Sequence, residues 1–235
     1  MRSVFALVCV LFASGCPRAK PTLAVRYFKV DTHMHFGPRA VPLVIRYMDQ
    51  VGIDVAVNLS GGAPGQGLEE QLVAAAEFPG RIYVFTTLDW AKARTGPGYG
   101  QLMVQDLMRA KALGARGLKI PKGLGLGYVD WRGELVAVDD PELDVVFETA
   151  AELGFPVAIH TGDPVAFWRP PTPDNERYAE LSVHPGWSFY GQPVRSWEDL
   201  FAALERRVAR HPKTTFISVH FGNAPEYPER VDALL

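Results

Sequence analysis

Apolar segments rich in Val, Ile and Phe alternate with amphipathic stretches along the chain from residue 25 onward. Both faces of each apolar segment are hydrophobic, which is typical of strands in a parallel sheet that helices cover. The alternation therefore predicts βα units, arranged either as a doubly wound sheet or as a (β/α)8 barrel. The predicted strands cover residues 25–30, 53–59, 82–87, 116–120, 156–160 and 215–220.

The amphipathic stretches between these strands have recognisable helix ends. Capping side chains or a proline mark the starts, and a glycine or a His-Pro pair marks the ends. The best-marked helix starts at Asp140-Pro141 and ends at Gly154. The other predicted helices cover residues 41–48 before Gly52, residues 102–113 before Gly114, residues 200–210 after the capping-box-like Ser196, and a segment that begins at Tyr227.

The first residues follow the pattern of a secretory signal peptide, with Arg2 ahead of an apolar run over residues 4–12. That run is shorter than the ~20 residues that a transmembrane helix needs. Small residues precede Cys16, as in bacterial lipoprotein signals, so we expect residues 1–16 to form a lipoprotein-type signal segment, with cleavage after Gly15 and a lipid anchor on Cys16. Cleavage by ordinary signal peptidase and a buried N-terminal strand are the alternatives. The mature protein is expected to be periplasmic or anchored to the membrane, with residues 17–24 as a linker.

Composition narrows the class of protein. Hydrophobic residues at 48% and charged residues at 21% are ordinary values for a folded domain, which excludes a disordered chain. The net charge is −2 and the sequence has no dense Lys/Arg run, so it lacks the basic surface that a nucleic-acid-binding protein needs. A small-molecule partner is therefore favoured. Of the two cysteines, Cys9 lies inside the predicted signal, so no internal disulfide is expected in the mature chain.

Histidines stand at the ends of three predicted strands: His33 and His35 in DTHMHF, His160 in VAIHTG, and His220 in ISVHFG. The carboxyl ends of parallel strands share one face, so the four imidazoles are expected to converge. His33 and His35 are two residues apart, which places both side chains on the same side of a strand. Neutral imidazoles are good ligands for zinc and similar ions, whereas a histidine-lined pocket without metal is the alternative.

The same motifs carry a family resemblance. DTHMHF resembles the D-x-H-x-H signature of the amidohydrolase superfamily, and VAIHTG and TTFISVHFGN resemble its histidine motifs on the fifth and sixth strands. The similarity is greatest to the amidohydrolase-related branch that includes aminocarboxymuconate semialdehyde decarboxylase, and it runs from Tyr27 to the C-terminus. It implies an α/β fold, a TIM-like (β/α) barrel of the metal-dependent hydrolase type over residues 25–235, with about six of the eight βα units present.

The resemblance also implies roles for individual residues. His33, His35 and His160 would bind a divalent metal, most simply zinc, and His220 would orient or deprotonate water or supply a proton. The family aspartate at the end of the eighth strand has no counterpart, because Asp232 in the final helical segment is the only later Asp. We therefore expect a C-terminally truncated barrel whose full-length form has ~70 to 100 further residues.

Five further residues are candidates for substrate binding because they lie near the same predicted face. Lys119 ends the fourth predicted strand, where some binuclear members carry a metal-bridging carboxylated lysine. A charged residue that lines the barrel mouth is the preferred interpretation, and binding of a substrate anion is the alternative that makes Lys119 a candidate. Residues 161–195, rich in proline and aromatics, are expected to form a lid or a substrate wall. The substrate-binding candidates are Lys119, Asp163, Arg177, Trp187 and Asn223.

Supporting and excluded residues complete the predicted site. Asp31 is expected to hold the turn after the first strand or the tautomer of a ligand histidine. His184 and His211 are excluded as ligands, the first as a loop residue and the second as a cation at a helix C-terminus.

The sequence predicts a metal-dependent hydrolase that activates water against a C–N or C–O bond. Non-oxidative decarboxylation is a close variant within the same class. The alternative is a truncated, noncatalytic lipoprotein that is exported and binds a metal or a ligand.

Overall fold

The computed structural model describes residues 27–234, so the predicted signal peptide and linker lie outside the described residues. Over residues 27–234, six strands form one parallel sheet in the order in which they occur along the chain. A doubly wound sheet reverses its strand order at a switch point, whereas this order does not reverse. The sheet therefore corresponds to six consecutive units of a TIM-like barrel, which confirms the predicted fold class. The strands are β1 (Val30–Met34), β2 (Val55–Asn58), β3 (Ile82–Thr86), β4 (Gly117–Ile120), β5 (Val157–Ile159) and β6 (Phe216–Ser218).

The helices follow the predicted starts and stops closely. Gly52 and Gly114 adopt left-handed backbone conformations directly after the helices that they end. The Ser196 hydroxyl accepts a hydrogen bond from the Asp199 amide at 3.1 Å, as the capping motif predicts. The α-helices are α1 (Val41–Val51), α2 (Leu68–Ala76), α3 (Tyr99–Leu113), α4 (Asp144–Glu152), α5 (Tyr178–Val183), α6 (Trp197–Arg210) and α7 (Pro228–Asp232).

Three segments differ from the predictions. β1 begins at Val30 rather than at residue 25, so His33 lies inside the strand and His35 follows its end. Helix α2 was not predicted because its buried positions include the polar Gln71, which interrupts the apolar pattern. Residues 161–195 are not wholly irregular, since they contain α5 and two short 3-10 turns.

The two faces of the sheet bury different clusters. Side chains such as Leu118 and Ile120 pack in the large core beneath the helices, whereas Phe85 and Ala158 belong to a small apolar cluster on the inner face. Successive side chains on a strand alternate between faces, and Lys119 pairs in register with Ala158. Lys119 therefore points into the interior of the barrel, where the carboxyl ends of the strands carry the histidines.

Within the part of the chain that the structure describes, no helix combines the length and the apolar character needed to cross a bilayer.

Candidate active site

The end of β1 brings two imidazoles into contact. The Nε2 atoms of His33 and His35 lie 3.0 Å apart. Two nitrogens bound to one tetrahedral zinc ion, each about 2.0–2.1 Å from it, would be about 3.3 Å apart. The Asp31 carboxylate accepts a hydrogen bond from the His33 amide at 2.9 Å, at a shift in the β1–β2 register. Asp31 thus holds the turn that presents the pair, in agreement with one of its two predicted roles.

Ser60, which follows β2, fixes the orientation of His35. The Ser60 hydroxyl lies 2.8 Å from Nδ1 of His35, so the opposite ring nitrogen, Nε2, faces His33. Asn58 supports this turn, because its side-chain oxygen accepts from the Ser60 amide at 3.0 Å and its Nδ2 donates to the Phe36 carbonyl at 3.0 Å. Ser60 was not among the residues predicted from the sequence, although its position just after the second predicted strand indicates this face.

His160 and His220 continue the group of imidazoles. The ring centroid of His220 lies 4.6 Å from that of His33 and 4.8 Å from that of His160. Nε2 of His160 is buried without a hydrogen-bond partner and lies 3.8 Å from a carboxylate oxygen of Asp163. The predicted convergence of the four histidines is confirmed. We call these four side chains the histidine cluster.

The turn that presents His220 has an unusual backbone. His220, Phe221 and Asn223 have positive φ angles of 54°, 56° and 54°, a region that costs non-glycine residues of order 1–3 kcal/mol each. The buried Asn223 side chain donates to the carbonyls of Thr161 and Gly162 at 3.2 and 3.1 Å. Asn223 therefore holds the turn after β6 against the loop after β5, and its amide hydrogens are committed to the backbone.

Burial and neighbouring charge make the imidazoles weak bases. Burial, followed by the charges of Lys119 and the other histidines, lowers the pKa of His33 from 6.5 to about 4. Burial is also the largest cause that lowers the pKa of His35 and of His220. These three rings are neutral at pH 7, so their lone pairs are available to a cation without competition from a proton.

Two lysines beside the histidine cluster differ in their environment. Lys119 is 4% exposed, its Nζ has no hydrogen-bond partner, and burial lowers its pKa to about 8. Lys122 donates to the Asp163 carboxylate at 2.7 Å. Burial alone would raise the pKa of Asp163, but Lys122 and His160 hold it below the usual range. Asp163 is thus an ionised carboxylate between a lysine and a histidine of the cluster.

The other predicted substrate residues lie apart from the histidine cluster. Arg177 contacts the carboxylates of Glu176 and Glu180 at 3.6 and 3.7 Å, and Trp187 stacks on His184 with ring centroids 4.0 Å apart. Within residues 27–234, neither side chain has a hydrogen bond, ion pair or ring contact with the four imidazoles. The structure therefore brings together Lys119, Asp163 and Asn223 with the histidines, but not Arg177 or Trp187.

A different aromatic of the predicted lid approaches the site. The Trp168 ring lies against Gly162, where an added Cβ would be 3.2 Å from the ring. Its indole nitrogen donates to the Arg195 carbonyl at 2.9 Å, and its ring packs on Phe189 with centroids 4.5 Å apart. Trp168 therefore connects the two ends of the 161–195 segment beside the loop that follows His160.

The histidine cluster is an open arrangement of donors. Among the described residues, no three or more His, Cys, Asp or Glu side chains are arranged so that together they could hold a metal ion. His33 and His35 offer two adjacent ring nitrogens, which form a half-site. The His220 ring contacts the His33 ring, and the His160 ring contacts the His220 ring. The structure thus places two adjacent imidazole nitrogens at the end of β1 and two further imidazoles beside them.

Comparison with protein families gives a match over nearly all of the described chain. The family model described as Amidohydrolase matches residues 30–234. No curated protein matches the sequence. The matched range contains the histidine cluster together with Lys119 and Asp163.

Solved structures share the fold at low sequence identity. A dihydroxybenzoic acid decarboxylase from Polaromonas sp., with bound manganese and the inhibitor 2-nitroresorcinol, has a TM-score of 0.54 and 16% identity over 85% of this chain and 67% of that chain. A 5-carboxyvanillate decarboxylase from Novosphingobium aromaticivorans, also with bound manganese, has a TM-score of 0.50 and 16% identity over 87% and 69%. An uncharacterised TIM-barrel protein from Bordetella bronchiseptica has a TM-score of 0.53 and 15% identity over 88% and 71%. At these identities the likeness shows the fold alone.

Proposed function

We propose that this chain, which belongs to the amidohydrolase family, is a metal-dependent enzyme that acts on a small molecule at the carboxyl ends of its strands. The observation that carries the proposal is the histidine cluster, in which imidazoles from the ends of β1, β5 and β6 meet on the inner face of the sheet. Four histidines gathered by three separate strand ends are expected of a metal centre.

The residues present fit a divalent ion by their chemistry. His33, His35 and His160 would hold it, since the first two offer adjacent Nε2 atoms and the third has a buried Nε2 without a partner. Ser60 would keep Nε2 of His35 directed at the site through its contact with Nδ1. When bound, such an ion supplies Lewis acidity to water or to a substrate oxygen.

Zinc is the ion that we propose, because imidazole nitrogens are among its preferred ligands in four-coordinate sites. Manganese is the second candidate, since two of the similar structures contain it. Elemental analysis of the purified protein distinguishes them.

His220 is suited to move a proton within this site. Its ring contacts both His33 and His160, and its pKa is lowered chiefly by burial, so the neutral ring can accept a proton near pH 7. The Asp163 carboxylate opposes that shift and would stabilise the protonated ring once it forms. His220 would therefore take a proton during reaction and return it later.

The reaction that we propose first is hydrolysis of a C–N or C–O bond, in which His220 removes a proton from the attacking water. The second is non-oxidative decarboxylation, in which a protonated group delivers its proton to the carbon that loses carbon dioxide. The names of two similar structures support the second candidate. Product analysis with amide, lactone and aromatic acid substrates separates the two reactions.

The experiment that tests the metal centre compares metal content among histidine variants. We expect wild-type protein to retain close to one equivalent of divalent metal, and the His33→Ala/His35→Ala variant to lose at least ~90% of it, because the half-site of two adjacent nitrogens is removed. His184→Ala is the control, since His184 stacks on Trp187 outside the cluster and its removal should leave the metal in place. Equal metal in wild type and the double variant, or none in wild type, would overturn the assignment.

A further inference from the structure

Asp163 lies three residues after His160 and uses its two carboxylate oxygens differently. Oδ2 accepts a hydrogen bond from Nζ of Lys122 at 2.7 Å. Oδ1 lies 3.8 Å from Nε2 of His160, which is beyond the range of a hydrogen bond. Within residues 27–234, neither Oδ1 nor that ring nitrogen has a hydrogen-bond partner. A carboxylate oxygen and an imidazole nitrogen, both common metal ligands, are therefore uncommitted and close together.

The separation of these two atoms suits two ligands of one ion. Atoms that are each about 2.1 Å from a metal can be at most about 4.2 Å apart, and they are about 3.3 Å apart in a tetrahedral site. The Nε2 atoms of His33 and His35 are 3.0 Å apart, and Oδ1 of Asp163 is 3.8 Å from Nε2 of His160. The ring of His220 contacts a histidine of each pair. The site thus offers two pairs of donor atoms.

The charges at the site favour an anionic ligand. Lys119 places a positive charge near the imidazoles, and it repels further positive charge on His33, His35 and His220. A neutral imidazole brings no negative charge to offset a divalent ion. The Asp163 carboxylate does, and carboxylate oxygens are regular ligands of both zinc and manganese.

A purely structural role does not explain how Asp163 is held. Asp130, in the loop after β4, shows such a role: its Oδ1 accepts from the amides of Arg132 and Glu134 at 2.8 and 3.0 Å, and its Oδ2 accepts from Nε of Arg132 at 2.8 Å. The Asp163 side chain is only 14% exposed, yet one oxygen alone is bonded, to a lysine whose side chain is 49% exposed. Ion pairs that reach solvent in this way contribute about 1 kcal/mol or less. The fold therefore leaves Oδ1 available to a ligand.

We propose that Oδ1 of Asp163 is a fourth ligand of the divalent metal, beside His33, His35 and His160. The inference rests on the proposed function, because it adds a ligand to the same metal centre. Lys122 would hold Oδ2 and so orient the carboxylate, as hydrogen bonds commonly do for carboxylates that bind metals. Among the described residues no three such side chains are arranged to hold an ion together, so binding must draw the two pairs of donors closer.

The test measures the affinity of the full, metal-free chain for Zn²⁺ and Co²⁺ by competition with a chromophoric chelator. Asp163→Asn keeps the shape of the side chain and removes its charge. We expect its Kd for Zn²⁺ to rise more than about a hundredfold, beyond the roughly 10–100-fold loss that is typical when a residue behind the ligands is changed. The visible absorption of the cobalt-loaded variant should also differ from that of wild type, because a ligand of the ion has changed. Lys122→Met keeps the ligand and loses only its support, so its Kd should rise about tenfold.

Asp139→Asn is the matched control. The Asp139 side chain is 17% exposed and pairs with Arg206 at 2.6 Å, much as Asp163 pairs with Lys122, but it has no contact with the histidine cluster among the described residues. Its Kd and cobalt absorption should equal those of wild type. Thermal unfolding of the metal-free variants verifies that each is folded. A crystal structure of zinc-loaded wild-type protein tests the inference without any variant, since Oδ1 should lie about 2.0–2.2 Å from the ion.

The outcomes separate this inference from the proposed function. If wild type binds zinc and Asp163→Asn raises the Kd by about a hundredfold or less, Asp163 is not a ligand, although the metal centre stands. An unchanged cobalt absorption in Asp163→Asn, or an Oδ1 more than about 3 Å from the bound zinc, leads to the same conclusion. If wild type binds no zinc or cobalt, the proposed function and this inference both fail.

Discussion

Two buried cations, Arg207 in the helical layer and Lys119 inside the sheet, are held in opposite ways. The Arg207 guanidinium donates to the carbonyls of Val138 and Asp140 at 3.0 and 2.7 Å and pairs with the Asp144 carboxylate. It also lies over the Phe147 ring, 4.4 Å from the centroid. These contacts offset the cost of removing the charge from water.

Lys119 is nearly as deeply buried, but within residues 27–234 its Nζ has no hydrogen-bond partner. The contrast teaches that burial alone does not assign a charged residue to structure or to function. Arg207 is satisfied by the fold and connects helices α4 and α6. Lys119 is not satisfied by the fold, and it lies where the histidine cluster collects. Under the proposed function, a charge that the fold leaves uncompensated at the carboxyl ends of the strands belongs to the site.

The largest expected effect is on the free energy of unfolding, when Arg207 in the helical layer is replaced. Arg207→Met should lower the free energy of unfolding by about 3 kcal/mol, because it removes one partner of a buried ion pair and the guanidinium hydrogen bond to the Val138 carbonyl. The neighbouring Arg206→Met is the control, since Arg206 is a half-exposed arginine paired with Asp139 at 2.6 Å, and its loss should cost about 1 kcal/mol or less. Urea titration of both variants measures the difference. Equal losses would remove the distinction between a satisfied buried cation and a surface one.

A smaller effect on stability is expected when the pH is lowered, because histidines of the cluster titrate at different pH values in the folded and unfolded protein. The pKa of His33 is about 4 in the folded protein against 6.5 for the ordinary group. Between these values the unfolded chain binds more protons than the folded one, so stability falls as pH decreases from 6.5 toward 4. In metal-free protein, His33→Gln should therefore lose less stability than wild type over that interval, measured by thermal unfolding.

Arg206→Met is the control for this pH dependence, because an arginine does not titrate in the interval and Arg206 pairs with Asp139 away from the histidine cluster, so the variant should keep the wild-type slope. An unchanged slope in His33→Gln would mean that burial of the His33 ring does not lower its pKa.

Much of the fold could be predicted, because apolar segments mark the strands and capping residues or glycines mark the helix ends. Strands β2 to β6 lie within two residues of their predicted bounds, whereas β1 begins later than predicted, and the stops at Gly52 and Gly114 are left-handed. The choice between a barrel and a doubly wound sheet could not be made from local pattern, since it depends on strand order. Helix α2 was missed because Gln71 occupies a buried position.

The candidate site was predictable where chemistry is local and not where it depends on tertiary contacts. His33 and His35 are adjacent on one strand, so their convergence follows from backbone geometry. Ser60 reaches His35 only because β1 and β2 pair, a contact that sequence spacing does not reveal. Asn223 was expected to bind substrate, but its side-chain amide donates a hydrogen bond to the Thr161 carbonyl. That use became visible only with the left-handed turn after β6.

The most direct test of the claim that the strand ends form the functional site needs no substrate, because it concerns the unsatisfied charge of Lys119. In ligand-free protein, Lys119→Met should raise the free energy of unfolding by about 1 kcal/mol, since an unpaired buried ammonium is replaced by an apolar side chain. Urea titration at pH 7 measures this against wild type. A rise, opposite in sign to the loss in Arg207→Met, is the predicted result. A loss of stability in Lys119→Met would show that the fold depends on this lysine and would contradict the account.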